Sequence, residues 1–152
     1  MRWWAGAALL LAIALVTGGA RAGDQGTVAG WVYVNPLELE LSFSAGQVKA
    51  GQAARARSMV TNRGSADLAN VVVTLRVDPT GLTIAGSTRR TIALLEGGAT
   101  AEVTWRICGT QPGSYVLLTH GEFTRPTGQL VATDSAAYLL QVLPNPRAKC
   151  PR

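Results

Sequence analysis

The stretch that decides the fold is Leu37-Glu38-Leu39-Glu40-Leu41-Ser42-Phe43-Ser44, in which apolar and polar residues alternate without a break. A strict period of two is typical of a β-strand with one face in the core and the other in water. The leucines and the phenylalanine should therefore face inward, while the glutamates and serines face solvent. We predict that this strand opens a folded domain.

Similar apolar rows follow along the chain and predict further strands. Residues 54–60, 71–77, 101–107, 115–119 and 136–142 carry the strong rows, and residues 82–85 and 91–95 carry weaker ones. Turn residues separate these rows, and no amphipathic helical stretch lies between them. The pattern indicates an all-β sandwich of about seven antiparallel strands. A parallel α/β fold is disfavoured because it needs crossover helices.

The N-terminus has the three parts of an export signal. Arg2 precedes an apolar run over residues 5–16, and small residues lead to Ala20-Arg21-Ala22, an A-x-A cleavage site. The apolar run is shorter than the roughly 20 residues that span a membrane. We therefore predict a signal-peptide helix over residues 1–22 that is cleaved after Ala22, with an uncleaved membrane anchor as the alternative.

Three parts are predicted after the signal: a 23–36 extension with a short extra strand, a 37–143 sandwich and a 144–152 basic, proline-rich tail. Because no later apolar run is long enough to cross a membrane, we expect a secreted, periplasmic or cell-surface protein. Cleavage removes two of the 14 basic residues that face 9 acidic ones. The remaining positive excess is mild and argues against a nucleic-acid binder.

The chain has two cysteines, Cys108 and Cys150. An even number in an oxidising compartment is typical of paired cysteines. We predict one intramolecular disulfide, which would stabilise the fold by about 4 kcal/mol through the loop that it closes. Two free thiols and an intermolecular bridge are the alternatives.

Several turns resemble those of one bacterial family. The run VTNRGSADLANV over residues 60–71 resembles the signature of Ig-like modules on exported proteins, among them the cell-adhesion-related (CARDB) domains. Residues 79–82, 95–98 and 112–115 resemble later turns of the family in the same order. The resemblance covers residues 37–142 and implies an Ig-like β-sandwich with an adhesion-type role. Residues 121–130 replace the acidic segment of many members, so no calcium site is implied.

Four residues have expected structural roles in this reading. Asn62 and Gly64 should make a tight corner, and Asn70 should cap its loop by bonding its own backbone. Tyr115 is expected to act as a tyrosine corner, with its hydroxyl bonded to a nearby backbone group.

The sequence contains no clear catalytic or metal-ligating set. The single histidine, His120, could join Cys108 in a copper site, but such sites use two histidines. We interpret His120 as a polar residue at a strand end. The sequence therefore predicts no metal and no cofactor.

Two carboxylates, Glu38 and Glu40, lie on one strand face, as a glycosidase pair could. We expect instead that they lie opposite Arg55 and Arg57 across two antiparallel strands. Opposite charges at such positions contribute roughly 0.2–1 kcal/mol per pair. With no nucleophile or base beside them, the pair does not indicate an enzyme.

Partner contacts are expected at aromatic and basic residues outside the inward rows. These residues are Trp31, Tyr33, Arg89, Arg90, Phe123 and Arg125. Exposed aromatic side chains on a rigid sandwich suit protein or carbohydrate contacts. Loops 88–91 and 121–130 are the expected regions, with a solvated loop as the alternative for the two neighbouring arginines.

The sequence thus favours an exported, non-enzymatic Ig-like module that binds an unidentified protein or glycan at the cell surface, or acts as a structural spacer. A carbohydrate-binding module using Trp31, Tyr33 or Phe123 is one alternative. The other is an assembly or chaperone-like subunit that pairs an edge strand with another chain.

Overall fold

The computed structural model describes residues 35–77, 80–147 and 149–150. These residues form ten β-strands: β1 Leu37–Phe43, β2 Gln47–Lys49, β3 Ala53–Asn62, β4 Leu68–Val77, β5 Leu82–Ile84, β6 Arg89–Leu95, β7 Thr100–Gly109, β8 Gly113–Thr124, β9 Leu130–Asp134 and β10 Tyr138–Leu143. The predicted signal peptide, its cleavage site and the extra strand around Trp31 and Tyr33 lie outside the described residues.

The strands build two sheets of a sandwich. One sheet has the order β1-β3-β7-β5, and the other has the order β2-β10-β8-β4-β6 with β9 beside β8. The strand pairs are antiparallel apart from β2 and β10, which run parallel. The predicted all-β sandwich is confirmed. It has more strands than the expected seven, because β2 and β9 form where the sequence shows no apolar row.

The core is made by the inward rows that the alternation predicts. Ala54, Ala56 and Val60 of β3 are buried, as are Val71 and Val73 of β4. The largest fully buried side chains include Trp105, Ile107, Leu117 and Leu140. Burial of these apolar surfaces is the main force that holds the two sheets together.

Asn70 lies within β4, not in the loop where it was expected to act as a cap. Leu68 and Val71 are both buried although they are three residues apart, so one residue between them must leave the alternation. Asn70 does so with a φ of 52°, a conformation that asparagine tolerates better than most residues. The asparagine therefore lets β4 keep both apolar side chains in the core.

Tyr115 has the predicted role of a tyrosine corner. Its hydroxyl donates to the backbone oxygen of Gln111 over 2.9 Å. The ring packs against Gly81, where an added Cβ would lie 1.8 Å from the tyrosine hydroxyl oxygen. A glycine at position 81 is thus required by the close approach of the ring.

The expected pairing of Glu38 and Glu40 with Arg55 and Arg57 is wrong. The strands β1 and β3 do pair antiparallel, but Glu40 lies two positions from the residue opposite Arg57. Glu38 forms an ion pair with Arg63 instead. The connection between the two strands contains β2, so no tight hairpin turn sets the register.

The predicted disulfide between Cys108 and Cys150 is confirmed, with a Cα–Cα distance of 5.8 Å. Cys108 lies in β7 of the four-stranded sheet, whereas Cys150 follows β10 of the six-stranded sheet. Between β10 and Cys150, the side-chain amide of Asn145 donates to the backbone oxygen of Ala50 over 2.8 Å. The tail after β10 is therefore tied covalently to the opposite sheet.

Two buried hydroxyl groups meet between the sheets. Ser58 of β3 and Thr119 of β8 are fully buried, and their hydroxyl oxygens lie 3.2 Å apart. We expect Ser58→Ala to lower the free energy of unfolding by about 1–2 kcal/mol, because it leaves the threonine hydroxyl without this partner. The double variant Ser58→Ala/Thr119→Val should be closer to the native stability than the sum of the single changes. Urea unfolding of all three variants measures this, and strictly additive losses would contradict it.

Within the described residues, no helix is long and apolar enough to cross a membrane.

Candidate functional site

The outer face of the six-stranded sheet is built mainly by β8, which lies between β4 and the strands β9 and β10. Along β8 the residues Tyr115, Leu117 and Thr119 are buried, so the residues between them point away from the core. The outward residues start with Val116 and Leu118 and end with polar side chains. This face therefore carries an apolar part and a charged part on one rigid strand.

The charged part is a network of His120, Asp134, Glu122 and Arg89, which we call the His120 network. His120 Nδ1 lies 2.7 Å from an Asp134 carboxylate oxygen, and Nε2 lies 3.8 Å from Glu122. Arg89 reaches Glu122 from β6 over 3.6 Å. Only 18% of the histidine side chain is exposed. The network fixes the orientation of these polar groups, and its carboxylates outnumber the one guanidinium.

The apolar part consists of Val116, Leu139 and the half-buried Leu118, which we call the Val116 patch. Val116 of β8 and Leu139 of β10 lie directly opposite each other and are each 56% exposed. Leu118 follows two residues later on the same face of β8. Because these two large apolar side chains adjoin each other in solvent, the Val116 patch is the candidate contact surface of this sheet.

Of the predicted contact residues, Arg89 joins the His120 network. Arg90 folds back on its own turn, since its guanidinium donates to the backbone oxygens of Ser87 and Arg89 over 2.6 and 3.2 Å. Both arginines belong to β6, not to a loop. Trp31 and Tyr33 lie outside the described residues, so their contact role stays a prediction.

Half of the predicted loop 121–130 is β-strand. Because β8 runs to Thr124 and β9 starts at Leu130, only residues 125–129 connect them. Arg125 closes this turn, with its backbone N–H donating to Gln129 and its backbone oxygen accepting from Gly128. A contact role of the Arg125 side chain stays a prediction.

The expected exposure of Phe123 is wrong. Phe123 is 4% exposed and belongs to the hydrophobic core. The inward alternation of β8 continues past Thr119 through Gly121 to Phe123, because the strand is longer than the apolar row that predicted it. Phe123 therefore stabilises the sandwich and is not available to a partner.

The expectation that His120 lies at a strand end is wrong, because the residue lies inside β8. Cys108, the other residue considered for a copper site, is bonded to Cys150, so its thiol cannot ligate a metal. No group of three or more histidine, cysteine or acidic side chains in the described part of the chain could hold a metal ion. The histidine is instead hydrogen-bonded to Asp134 and lies close to the Glu122 carboxylate.

The site could not be predicted from the sequence because its members are distant in the chain. The pairing of His120 with Asp134 follows from the antiparallel register of β8 and β9, which no pattern in either strand reveals. One signal was present: Val116, Leu118, His120 and Glu122 alternate with the inward row of β8. An outward row that is half apolar favours a strand whose outer face contacts another surface.

One family model matches a part of the chain. Residues 48–120 are similar to the family described as the NPCBM-associated, NEW3 domain of alpha-galactosidase. No curated protein sequence matches the chain.

Several solved structures share the fold at low sequence identity. The CARDB domain of PF1109 from Pyrococcus furiosus is 15% identical, with a TM-score of 0.50 and coverage of 71% of this chain and 94% of that one. The same domain in complex with di-metal ions is 14% identical, with a TM-score of 0.50 and coverage of 75% and 100%. The GAE domain of GGA2p from Saccharomyces cerevisiae is 18% identical, with a TM-score of 0.50 and coverage of 72% and 94%. The sandwich thus has the Ig-like fold of the CARDB domain that its turn motifs resemble.

Proposed function

We propose that the chain is an exported, non-catalytic Ig-like module that works by contact, with the Val116 patch and the adjoining His120 network of the six-stranded sheet as its contact surface. The observation that carries this proposal is the exposed pair Val116 and Leu139 beside the His120 network. Apolar side chains at the centre of an interface supply affinity, and fixed polar groups around them supply specificity.

Export is supported by the disulfide and by the type of domain. Disulfides persist in oxidising compartments such as the periplasm and the extracellular space. Residues 1–22, with cleavage after Ala22, would provide the route to that compartment. The mature module would then act in the periplasm, at the cell surface or in the medium.

A non-catalytic role is supported by the kind of family that the sequence resembles. The matched family is described as a domain of alpha-galactosidase that is associated with another module. Such a description is typical of an accessory domain. An accessory domain of this kind positions, spaces or docks its neighbours. Adhesion is one form that such contact would take.

Carbohydrate binding is the second candidate function, because the matched NEW3 family is associated with carbohydrate-binding modules. In this case Trp31 and Tyr33 would be the stacking residues, as expected from the sequence. The two functions use different residues, so one experiment separates them.

The contact proposal predicts the behaviour of Val116→Thr/Leu139→Thr. Threonine keeps the branching that suits a strand but removes apolar area from the patch. Because the two truncations at the centre of the interface together cost about 2 kcal/mol of binding free energy, retention in the native cell envelope should fall about 30-fold. Retention is measured as the ratio of bound to released protein in fractionated cells.

The matched control is Leu94→Thr/Leu130→Thr, which truncates two equally exposed leucines on β6 and β9. This control should be retained like the native chain. Equal retention of both double variants would overturn the proposed surface. Release of the native chain by soluble neutral glycans would instead support the carbohydrate-binding alternative.

A further inference from the structure

The outer face of the four-stranded sheet brings two arginines into direct opposition. Arg55 of β3 lies opposite Arg106 of β7 in the antiparallel register. Both side chains are exposed, since they alternate with buried neighbours such as Ala54 and Trp105. Like charges at directly opposite positions destabilise a sheet, so this pair calls for a role other than stability.

Neither guanidinium is neutralised by a carboxylate in the described part of the chain. The next arginine along β3, Arg57, forms an ion pair with Glu102 over 2.7 Å. Arg63 is likewise paired with Glu38. Within this sheet the two opposed arginines are therefore the ones available to a negatively charged ligand.

Two more cations lie on the tail that the disulfide joins to β7. Lys149 precedes Cys150, which is bonded to Cys108, two residues beyond Arg106 in β7. Arg147 lies in the same tail and is exposed. The disulfide thus keeps positive charge on the tail close to the strand that carries Arg106.

A shallow cleft adjoins the arginine pair. It has a volume of about 240 Å³ and is lined by Arg106 together with small and apolar residues, Ala53, Thr83, Ile84, Ala85, Ile107 and Cys108. This volume is below the roughly 300–1,000 Å³ of pockets for drug-sized ligands. The cleft therefore suits one compact group of a longer molecule, such as a single sugar ring.

We propose that Arg55, Arg106 and this cleft form a binding site for the carboxylate groups of an acidic polysaccharide. A guanidinium group binds a carboxylate through two parallel hydrogen bonds, and the two opposed guanidinium groups of Arg55 and Arg106 can bind one carboxylate together. The open sheet face lets a polymer extend in both directions from the ring in the cleft. This ligand goes beyond the contact role of the six-stranded sheet, because it uses the opposite sheet.

An acidic polysaccharide fits this face better than an anionic membrane. Membrane-surface binding combines cations with large apolar side chains that enter the lipid. The large exposed apolar residues of the described chain lie instead on the strands and strand ends of the six-stranded sheet. The cleft beside the arginines offers small side chains, which suit the flat face of a sugar.

The test uses polygalacturonate and its methyl ester, which share one backbone but differ in charge. The native chain should bind the acid form, lose affinity as salt rises, and fail to bind the ester. Arg55→Gln/Arg106→Gln should weaken binding to the acid form by about tenfold or more, because charged hydrogen bonds are lost. Titration calorimetry measures the affinity of the native chain and of the variant for each polymer. The melting temperature of the variant should equal or exceed that of the native chain, because the repulsion between the two arginines is relieved.

The matched control is Arg63→Gln/Arg76→Gln, which removes the same charge from exposed positions away from the cleft. Its affinity for polygalacturonate should equal that of the native chain. Absence of native binding, an equal loss in this control, or equal binding of polyglutamate or of anionic lipid vesicles through Arg55 and Arg106 would each overturn the site. Envelope retention through the Val116 patch is measured separately, so either proposal can fail alone.

Discussion

Replacing Asn62 with alanine should lower the free energy of unfolding by about 3–5 kcal/mol, since each unsatisfied buried polar group costs about 1–3 kcal/mol. Asn62 is fully buried at the end of β3. Its amide nitrogen donates to the backbone oxygens of Ala66, Leu95 and Glu96 over 2.8, 3.1 and 3.1 Å. Its amide oxygen accepts from the backbone N–H of Gly64 over 2.9 Å. One side chain thus satisfies four backbone groups in two loops.

Asn62→Asp tests the direction of these bonds. The substitution keeps the shape but replaces a donor to three carbonyl oxygens with an acceptor, so it should be at least as destabilising as alanine. Asn35→Ala is the control, because Asn35 bonds two backbone groups and is only partly buried. We expect the control to lose about 1 kcal/mol. Guanidinium unfolding followed by circular dichroism measures all three, and equal losses at both asparagines would contradict the role of Asn62.

Removing the disulfide with Cys108→Ala/Cys150→Ala should lower the free energy of unfolding by about 4 kcal/mol. The bond joins residues with a sequence separation of 42, so it removes much conformational freedom from the unfolded chain. Alanine at both positions avoids leaving a thiol on Cys108, which is buried. The measurement is urea unfolding of the native chain and the variant.

A reducing agent provides the control for the disulfide. It should destabilise the native chain by about the same amount as the double substitution and leave the variant unchanged. If the reducing agent had no effect on the native chain, the bond would not contribute to stability. If it also destabilised the variant, the loss would have another source.

The strands that carry long apolar rows could be predicted from the sequence, because a period of two reports directly which face is buried. The rows of β1, β3, β4 and β7 were all placed correctly, as was the corner at Tyr115. The predictions that were wrong depend on which residues of neighbouring strands lie opposite each other. The pairing of Glu40 with Arg57 needed the register of β1 and β3, which a long connection leaves open.

The candidate site could not be predicted from single segments of the sequence either. Phe123 was misread because the length of β8 is set by its pairing with β4 and β9, not by its own apolar residues. His120 meets Asp134 through that same pairing, so the network could not be inferred from either segment alone. The buried role of Asn62 was likewise hidden, since its partners lie in a loop 33 and 34 residues away.

The bond between Cys108 and Cys150 also determines how the module responds to mechanical force. Tension applied to the chain beyond Cys150 passes through the sulfur atoms into β7 and does not peel β10 from its sheet. β7 is held by β3 on one side and β5 on the other, so two ladders share the load. The covalent path of the pull therefore leaves out the residues between the two cysteines, among them Val116 on β8 and Leu139 on β10. A module built this way can transmit tension while the strands that carry these two side chains bear no load along their own backbone.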